Sequence, residues 1–184
     1  VVNPEDDARF RQYWETYHHL NARNGVTPDV AKASVRRSNT IIGSLMLHLG
    51  DADAMLCGVE GSYMRHLRHI REIIGYLPGA SDFAALSLMI TAKGAYFIAD
   101  TQVRPNPSAE ELADIAAQAA VHVQRFNIKP KIAFVSHSDF GSYDSSSAQK
   151  MRRATEILVN DHPEIEADGE MQGDTAWDEL LRKR

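Results

Sequence analysis

The sequence predicts an α/β fold arranged in two lobes. Three observations lead there. Apolar residues at helical spacing alternate along the 184 residues with short apolar runs that suit strands. Capping residues mark several helix starts. The pattern also changes at about Tyr76–Asp82, from a helix-rich stretch to one that opens on a hairpin. Alternating helices and strands imply a mixed sheet, with helices on both faces and right-handed crossovers. The lobes are expected at 1–78 and 79–184.

Each element has a local reason. Asn3-Pro4-Glu5-Asp6-Asp7 reads as a helix start, with Asn3 as cap, Pro4 in the first turn and acids at the positive end of the dipole. Phe10, Trp14, Tyr17 and Leu20 continue at helical spacing until Gly25. These aromatics suit a core or an interface. Thr27-Pro28-Asp29 opens a second helix. Ser38 or Asn39 opens a third, carrying Ile41, Ile42, Leu45, Met46 and Leu49 and stopping at Gly50. Ala54–Cys57 suits a short buried strand, with Cys57 as a buried structural thiol. Ser62 precedes a helix bearing Met64, Leu67, Ile70, Ile73 and Ile74. Phe83–Ile90 and Ala95–Ala99, joined at Ala92-Lys93-Gly94, read as a hairpin. Ser108-Ala-Glu-Glu111 is a capping box. Its helix runs to about Phe126, and Ile132–Val135 is a strand. A helix follows over about Ser147–Val159, Ile165 belongs to a last strand, and a terminal helix carries Trp177, Leu180 and Leu181.

Composition narrows the function classes. Hydrophobic residues at 43% and charged residues at 24% match a globular chain rather than a disordered one. A net charge of −5 argues against binding nucleic acid through a basic face. No apolar stretch is long enough for a membrane helix. Cys57 stands alone, so an internal disulfide is impossible and a cytoplasmic location is the default. The chain starts at Val1-Val2 rather than Met and stops at Arg184 without a terminating motif, so it is expected to be a piece of a longer protein.

Two segments could carry chemistry. Ser136-His-Ser-Asp-Phe-Gly-Ser-Tyr-Asp-Ser-Ser-Ser147 joins a strand end to a helix start, where ligands of open α/β sheets tend to bind. Ser136, Ser138 and Ser142 offer hydroxyls, Gly141 permits converging backbone amides, and the helix dipole favours an anion. The same composition also suits a solvated turn that only caps a helix. The second segment is Gly58–Arg68, in which Ser62 can cap and Arg68 can hold a phosphate by charge-assisted bonds. Arg65, Arg71 and the histidines suit a solvated basic face. His66 and His69 are three apart, yet no third ligand stands at a signature spacing, so no metal site is expected. No serine-hydrolase elbow, Walker lysine or dinucleotide glycine fingerprint is present.

Taken together, the segments resemble the phosphate acetyl/butyryltransferase family. They are most similar to the transacetylase-like C-terminal domain of multidomain NADP-dependent malic enzymes. The carrying residues are Tyr13-Trp-Glu-Thr-Tyr17, Asn24-Gly-Val-Thr27, Gly50-Asp-Ala-Asp-Ala-Met55, His66-Leu-Arg-His-Ile-Arg71, Phe97-Ile-Ala-Asp-Thr101, Asn106–Glu111, Ser136–Ser142 and Asp168-Gly-Glu-Met-Gln172. The resemblance implies a three-layer αβα domain of the isocitrate/isopropylmalate dehydrogenase-like type, with two lobes and a cleft, here incomplete. It also implies dimers through the second lobe. Arg68 falls on a phosphate- or substrate-contacting arginine of the family, and Ser136, Ser138, Gly141 and Ser142 fall on its cleft loop.

Departures from the transferases are specific. A second active-site arginine of the family falls on Asn21, and Arg23 nearby would sit on a different helix face. Glu60-Gly-Ser62 stands where transferases carry His-Ser-Thr, and Glu60 would repel phosphate. The family's later Leu-Ser-Arg segment lies beyond Arg184. The resemblance therefore implies a regulatory and oligomerisation domain that binds acetyl-CoA or a related CoA ligand and is itself inactive. NADP and a divalent metal, Mg or Mn, would belong upstream. An active phosphate acetyltransferase and a ligand-free assembly module are the alternatives.

Overall fold

A computed structural model describes residues 2–78, 80 and 82–183. Contacts divide the chain into two compact units, Val1–Gly79 and Ala80–Arg184. Within the stretch Tyr76–Asp82, where the sequence changes character, Gly79 and Ser81 lie outside the described residues.

The first unit is helical among its described residues. Its chain enters through a turn, not the helix expected at Asn3. The Asn3 carbonyl accepts from the amides of Asp6 and Asp7, and its side chain accepts from Glu5. The Asp7 carboxylate then takes both the amide and the guanidinium of Arg9. These local bonds compete with helix propagation, and α1 begins only at Phe10 (Phe10–Asn21). A 3-10 turn, Ala22–Asn24, ends at Gly25 with φ 83°. α2 (Pro28–Arg37) is capped by Thr27 and α3 (Asn39–Leu49) by Ser38. α4 spans Tyr63–Ile73, and Ser62 precedes it without making a side-chain cap bond.

Tyr13, Tyr17, Ala31, Val35, Ile41, Leu45 and Ile73 form this unit's core. The two buried tyrosines keep their hydroxyls bonded, Tyr13 to Asp51 at 3.0 Å and Tyr17 to Glu72 at 3.2 Å. The strand expected at Ala54–Cys57 does not form. An apolar run this short needs a neighbouring strand to satisfy its backbone, and the described residues of this unit supply none. Leu56 is fully exposed, and Cys57 is an exposed thiol rather than a buried one. Met55 is the anchor, its sulfur 2.6 Å from where a Cβ on Gly43 would lie.

The second unit mixes strands and helices. β1 (Leu86–Thr91) and β2 (Gly94–Ala99) form an antiparallel hairpin pairing Leu86 with Ala99 and Thr91 with Gly94, so Ala92-Lys93 is the loop. Asp100 closes its base, its carboxylate accepting from the amides of Ala85, Gln102, Val103 and Arg104. Burial pushes this carboxyl's pKa up, but the four N–H donors outweigh that and leave it lowered. α5 (Ala109–Gln124) opens on the expected Ser108–Glu111 capping box.

β3 (Lys131–Val135), α6 (Ser146–Asp161) and β4 (Glu166–Met171) follow as a parallel βαβ unit. Ile165 is buried just before β4, its amide bonded to His162 in a turn and not in the ladder. The single terminal helix expected is split into α7 (Gly173–Trp177) and α8 (Glu179–Arg182), because Asp178 takes an extended backbone and caps Leu180.

The mixed α/β class stands, but the single sheet expected appears among the described residues as two sheets of two strands each. Ala109, Ala113, Ala116 and Ala120 give α5 a face of small residues, which packs with Ala154 and Leu158 of α6 and with Phe134 of β3. Small side chains let the two helices approach closely. Gly169 in β4 serves the same closeness at the sheet. Its φ is 143°, and an added Cβ would lie 2.8 Å from the Phe134 carbonyl oxygen. Gly169→Ala is expected to destabilise the second unit by about 1–3 kcal/mol, read as a lower urea midpoint. An unchanged midpoint would mean that β4 can move off β3.

Candidate functional site

The loop after β3 is built around a buried carboxylate. Glu170 has no exposed surface. Its Oε1 accepts from the Ser138 hydroxyl at 2.9 Å and from the Gly141 amide at 2.8 Å. Its Oε2 lies 3.3 Å from Nε of Arg152 on α6. The backbone joins in: Ser136 N donates to the Met171 carbonyl and Phe140 N to that of Glu170. Phe140 (φ 46°) and Gly141 (φ 90°) both turn left-handed to bring the Gly141 amide round.

Burial would raise the Glu170 pKa. The Gly141 amide, the Ser138 hydroxyl and the Arg152 charge overcome it and hold the carboxyl below its usual value. The sequence expectation was that Ser138 and Gly141 face a bound anion. The anion they face is internal. Ser142 is also engaged locally, accepting from the Asp139 amide at 2.9 Å with its oxygen 3.4 Å from that of Ser138.

Beside this loop lies a depression of about 410 Å³. Ser136 and His137 line it together with Asn106, Arg104, Ser147 and Lys150. Lys150 Nζ donates to Asn106 at 2.7 Å, Arg104 pairs with Glu111 at 3.0 Å, and His137 bonds the helix-capping Ser145 at 3.1 Å. Of the four loop residues nominated from sequence, Ser136 lines this depression, Ser138 is buried, and Gly141 and Ser142 are exposed outside it. Lys150 was not foreseen, whereas Ser147 ends the segment nominated from sequence and Asn106 begins the run Asn106–Glu111; the three come together because the start of α6 packs beside the loop that leads into α5.

In the first unit, Arg65, Arg68 and Arg71 follow one another at three-residue spacing along α4, where a second depression of about 460 Å³ is lined by α4 side chains alone. Ser62 is exposed at the helix start. Arg68 is already paired, its Nε 3.2 Å from Glu72 Oε1. Glu72 Oε2 accepts from Tyr17 Oη and lies 3.5 Å from His69 Nδ1.

Asn21 is 2% exposed, its amide donating to the Tyr17 and Glu72 carbonyls at 3.2 and 3.4 Å. It therefore ties α1 to α4. His66 bridges the Glu60 carbonyl and the Thr40 hydroxyl at 2.7 Å each, which places it in the frame and not with His69 in a ligand set. No cluster of three or more His, Cys, Asp or Glu suited to a metal occurs among the described residues.

Glu170 and Glu72 were both missed from sequence. The available signal for Glu170 was an acid next to a strand glycine, one residue before an apolar position. For Glu72 it was an acid in the last turn of a helix otherwise rich in arginine and histidine, where the dipole disfavours it.

The family model described as Phosphate acetyl/butaryl transferase matches residues 1–184. An NAD-dependent malic enzyme of Rhizobium meliloti is 51% identical over 184 residues, 100% of this chain and 24% of that protein. An NADP-dependent malic enzyme of Haemophilus influenzae is 45% identical over 183 residues, 100% of this chain and again 24% of the relative. Among solved structures, a phosphotransacetylase from Streptococcus pyogenes matches with a TM-score of 0.83 at 32% identity, covering 98% of this chain and 57% of that one. The chain thus spans about a quarter of the length of the malic enzymes it matches. No described helix is long and apolar enough to cross a membrane.

The Glu170 cage has a definite pH signature. A carboxyl whose pKa is lowered on folding adds stability above its unfolded value, and that stability is lost as pH falls through the folded value. Glu170→Gln keeps an acceptor for Ser138 and Gly141 but turns an amide toward Arg152. It is expected to lower stability at pH 7 by about 1–3 kcal/mol and to flatten the acid limb of a plot of urea midpoint against pH. Parallel limbs for the two proteins would remove Glu170 from the acid response.

Proposed function

The chain belongs to the phosphate acetyl/butaryl transferase family, and on that premise we propose that it is the regulatory and oligomerisation domain of a malic enzyme. In this reading the longer protein oxidatively decarboxylates malate to pyruvate in the cytoplasm. NADP and a divalent metal, Mg or Mn, are bound by its other parts, and acetyl-CoA bound here inhibits the reaction. The relatives divide between NAD and NADP, so NADP is a choice made on the resemblance read from the sequence. The domain completed by its flanking sequence would be the three-layer, isocitrate/isopropylmalate dehydrogenase-like fold.

The observation that carries the reading is Asn21. At Asn21, the position that the resemblance sets against a transferase arginine, the chain has a neutral side chain, buried and bonded to two backbone carbonyls. A site that lacks that cation has lost charge stabilisation for a reacting phosphate while keeping Arg68 for binding. Arg68, with Ser62 near it in sequence, would take a ligand phosphate in the first unit. In the second, the Ser136 end of the loop and Lys150 would meet an anion, with Ser138, Gly141 and Ser142 holding the loop's shape. Exposed apolar residues of the hairpin, Leu88, Ile90 and Ile98, favour a second copy of the chain as partner for the second unit. Acetyl-CoA would shift the distant catalytic part through a coupling of about 1–3 kcal/mol.

An active phosphate acetyltransferase is the second reading, favoured by the 32% identity to a phosphotransacetylase over nearly the whole chain. One set of assays separates these readings. Acetyl-CoA titrated into the longer enzyme is expected to lower malate-dependent reduction of the nicotinamide cofactor saturably, and Arg68→Ala is expected to abolish the effect. No acetyl phosphate is expected from acetyl-CoA and phosphate. A flat titration leaves a ligand-free assembly module as the better account, and acetyl phosphate formation would favour the transferase.

A further inference from the structure

Glu72 is oddly placed for a residue that only stabilises its helix. It is the penultimate residue of α4, where the dipole disfavours a negative charge. Its arginine partner precedes it by four residues, the weaker order for an i,i+4 pair. The carboxylate is nonetheless held firmly. The hydroxyl of buried Tyr17 fixes Oε2 at 3.2 Å, and the free orientation of Oε1 is toward Arg68. Arg68 itself is 69% exposed at the side chain and borders the α4 depression. An arginine that solvent reaches is thus covered on one edge by a carboxylate aimed from the core.

We propose that Glu72 is a built-in competitor for Arg68, one that an incoming ligand phosphate must displace, so that Glu72 sets the affinity and anion selectivity of this site. The proposal rests on the reading that Arg68 meets a ligand phosphate. A carboxylate on the same helix turn is always present at high effective concentration. A monoanion from solution competes poorly with it, whereas a phosphate group presents more charge and a geometry that matches the guanidinium fork. Tyr17 and His69 then remain to hold Glu72 once Arg68 swings away. Regulation by a CoA-type ligand thereby becomes less sensitive to small carboxylates.

The test uses the longer enzyme, with coenzyme A as probe in titration calorimetry. Glu72→Gln keeps an acceptor for Tyr17 and removes the charge. It is expected to tighten coenzyme A binding by about two- to fivefold at low salt, the scale of a single exposed ion pair. That gain is expected to vanish when Arg68→Ala is present in both proteins. Binding unchanged or weakened by Glu72→Gln, with thermal unfolding unaltered, overturns the proposal and leaves the function reading standing. If neither the parent nor Glu72→Gln binds coenzyme A, the function reading fails instead. The rate at which phenylglyoxal modifies Arg68, followed by peptide mass spectrometry, then decides the competitor role. Faster modification in Glu72→Gln supports it, and an equal rate overturns it.

Discussion

The second unit depends on one buried charge. Glu170 sits at the end of β4 with no exposed surface, and it would not be tolerated there unpaired. Its three partners come from two places: Ser138 and Gly141 in the loop after β3, and Arg152 two turns into α6. A single side chain thus fixes where the loop lies, how α6 leaves it, and how β3 and β4 end. The left-handed turns at Phe140 and Gly141 and the tight contact at Gly169 are the backbone's share of the same arrangement. The Ser138 hydroxyl and the Gly141 amide face inward because the charge is inside.

The first unit is organised around a comparable node. Glu72 takes a hydroxyl from α1 on one oxygen and a guanidinium from its own helix on the other, while Asn21 bonds its backbone carbonyl. The link between α1 and α4 therefore passes through polar groups beside a core of tyrosine and aliphatic side chains. An event at Arg68 is adjacent to that link.

Much of the fold was legible where local rules decide the outcome. Thr27, Ser38 and Ser108 cap the helices that they announce, Gly25 and Gly50 end theirs in left-handed backbone, and Thr91 and Gly94 close the hairpin. The misreadings share a cause. At Asn3 and Asp178, short polar side chains bonded nearby amides and redirected the chain. At Ala54–Cys57 an apolar run looked like a strand, but a strand is a property of a pair, and sequence periodicity does not reveal the partner. Arg68 and Ser136 were legible as candidates, and each lines a depression. Glu170 and Glu72 were not, because a buried acid and a surface acid look alike until the residues 29–32 positions before one and 55 before the other are folded against them.

Asn21 limits what its position can hold. Its amide is enclosed, and it satisfies two carbonyls and receives a bond from Asn24. A longer or charged side chain, an arginine among them, would bring its stem and its charge into that enclosure and evict the tie between α1 and α4. Neighbouring positions would have to change first to make room, each at some cost to the helical unit. A positive charge at this point of the frame is therefore out of reach of a single substitution.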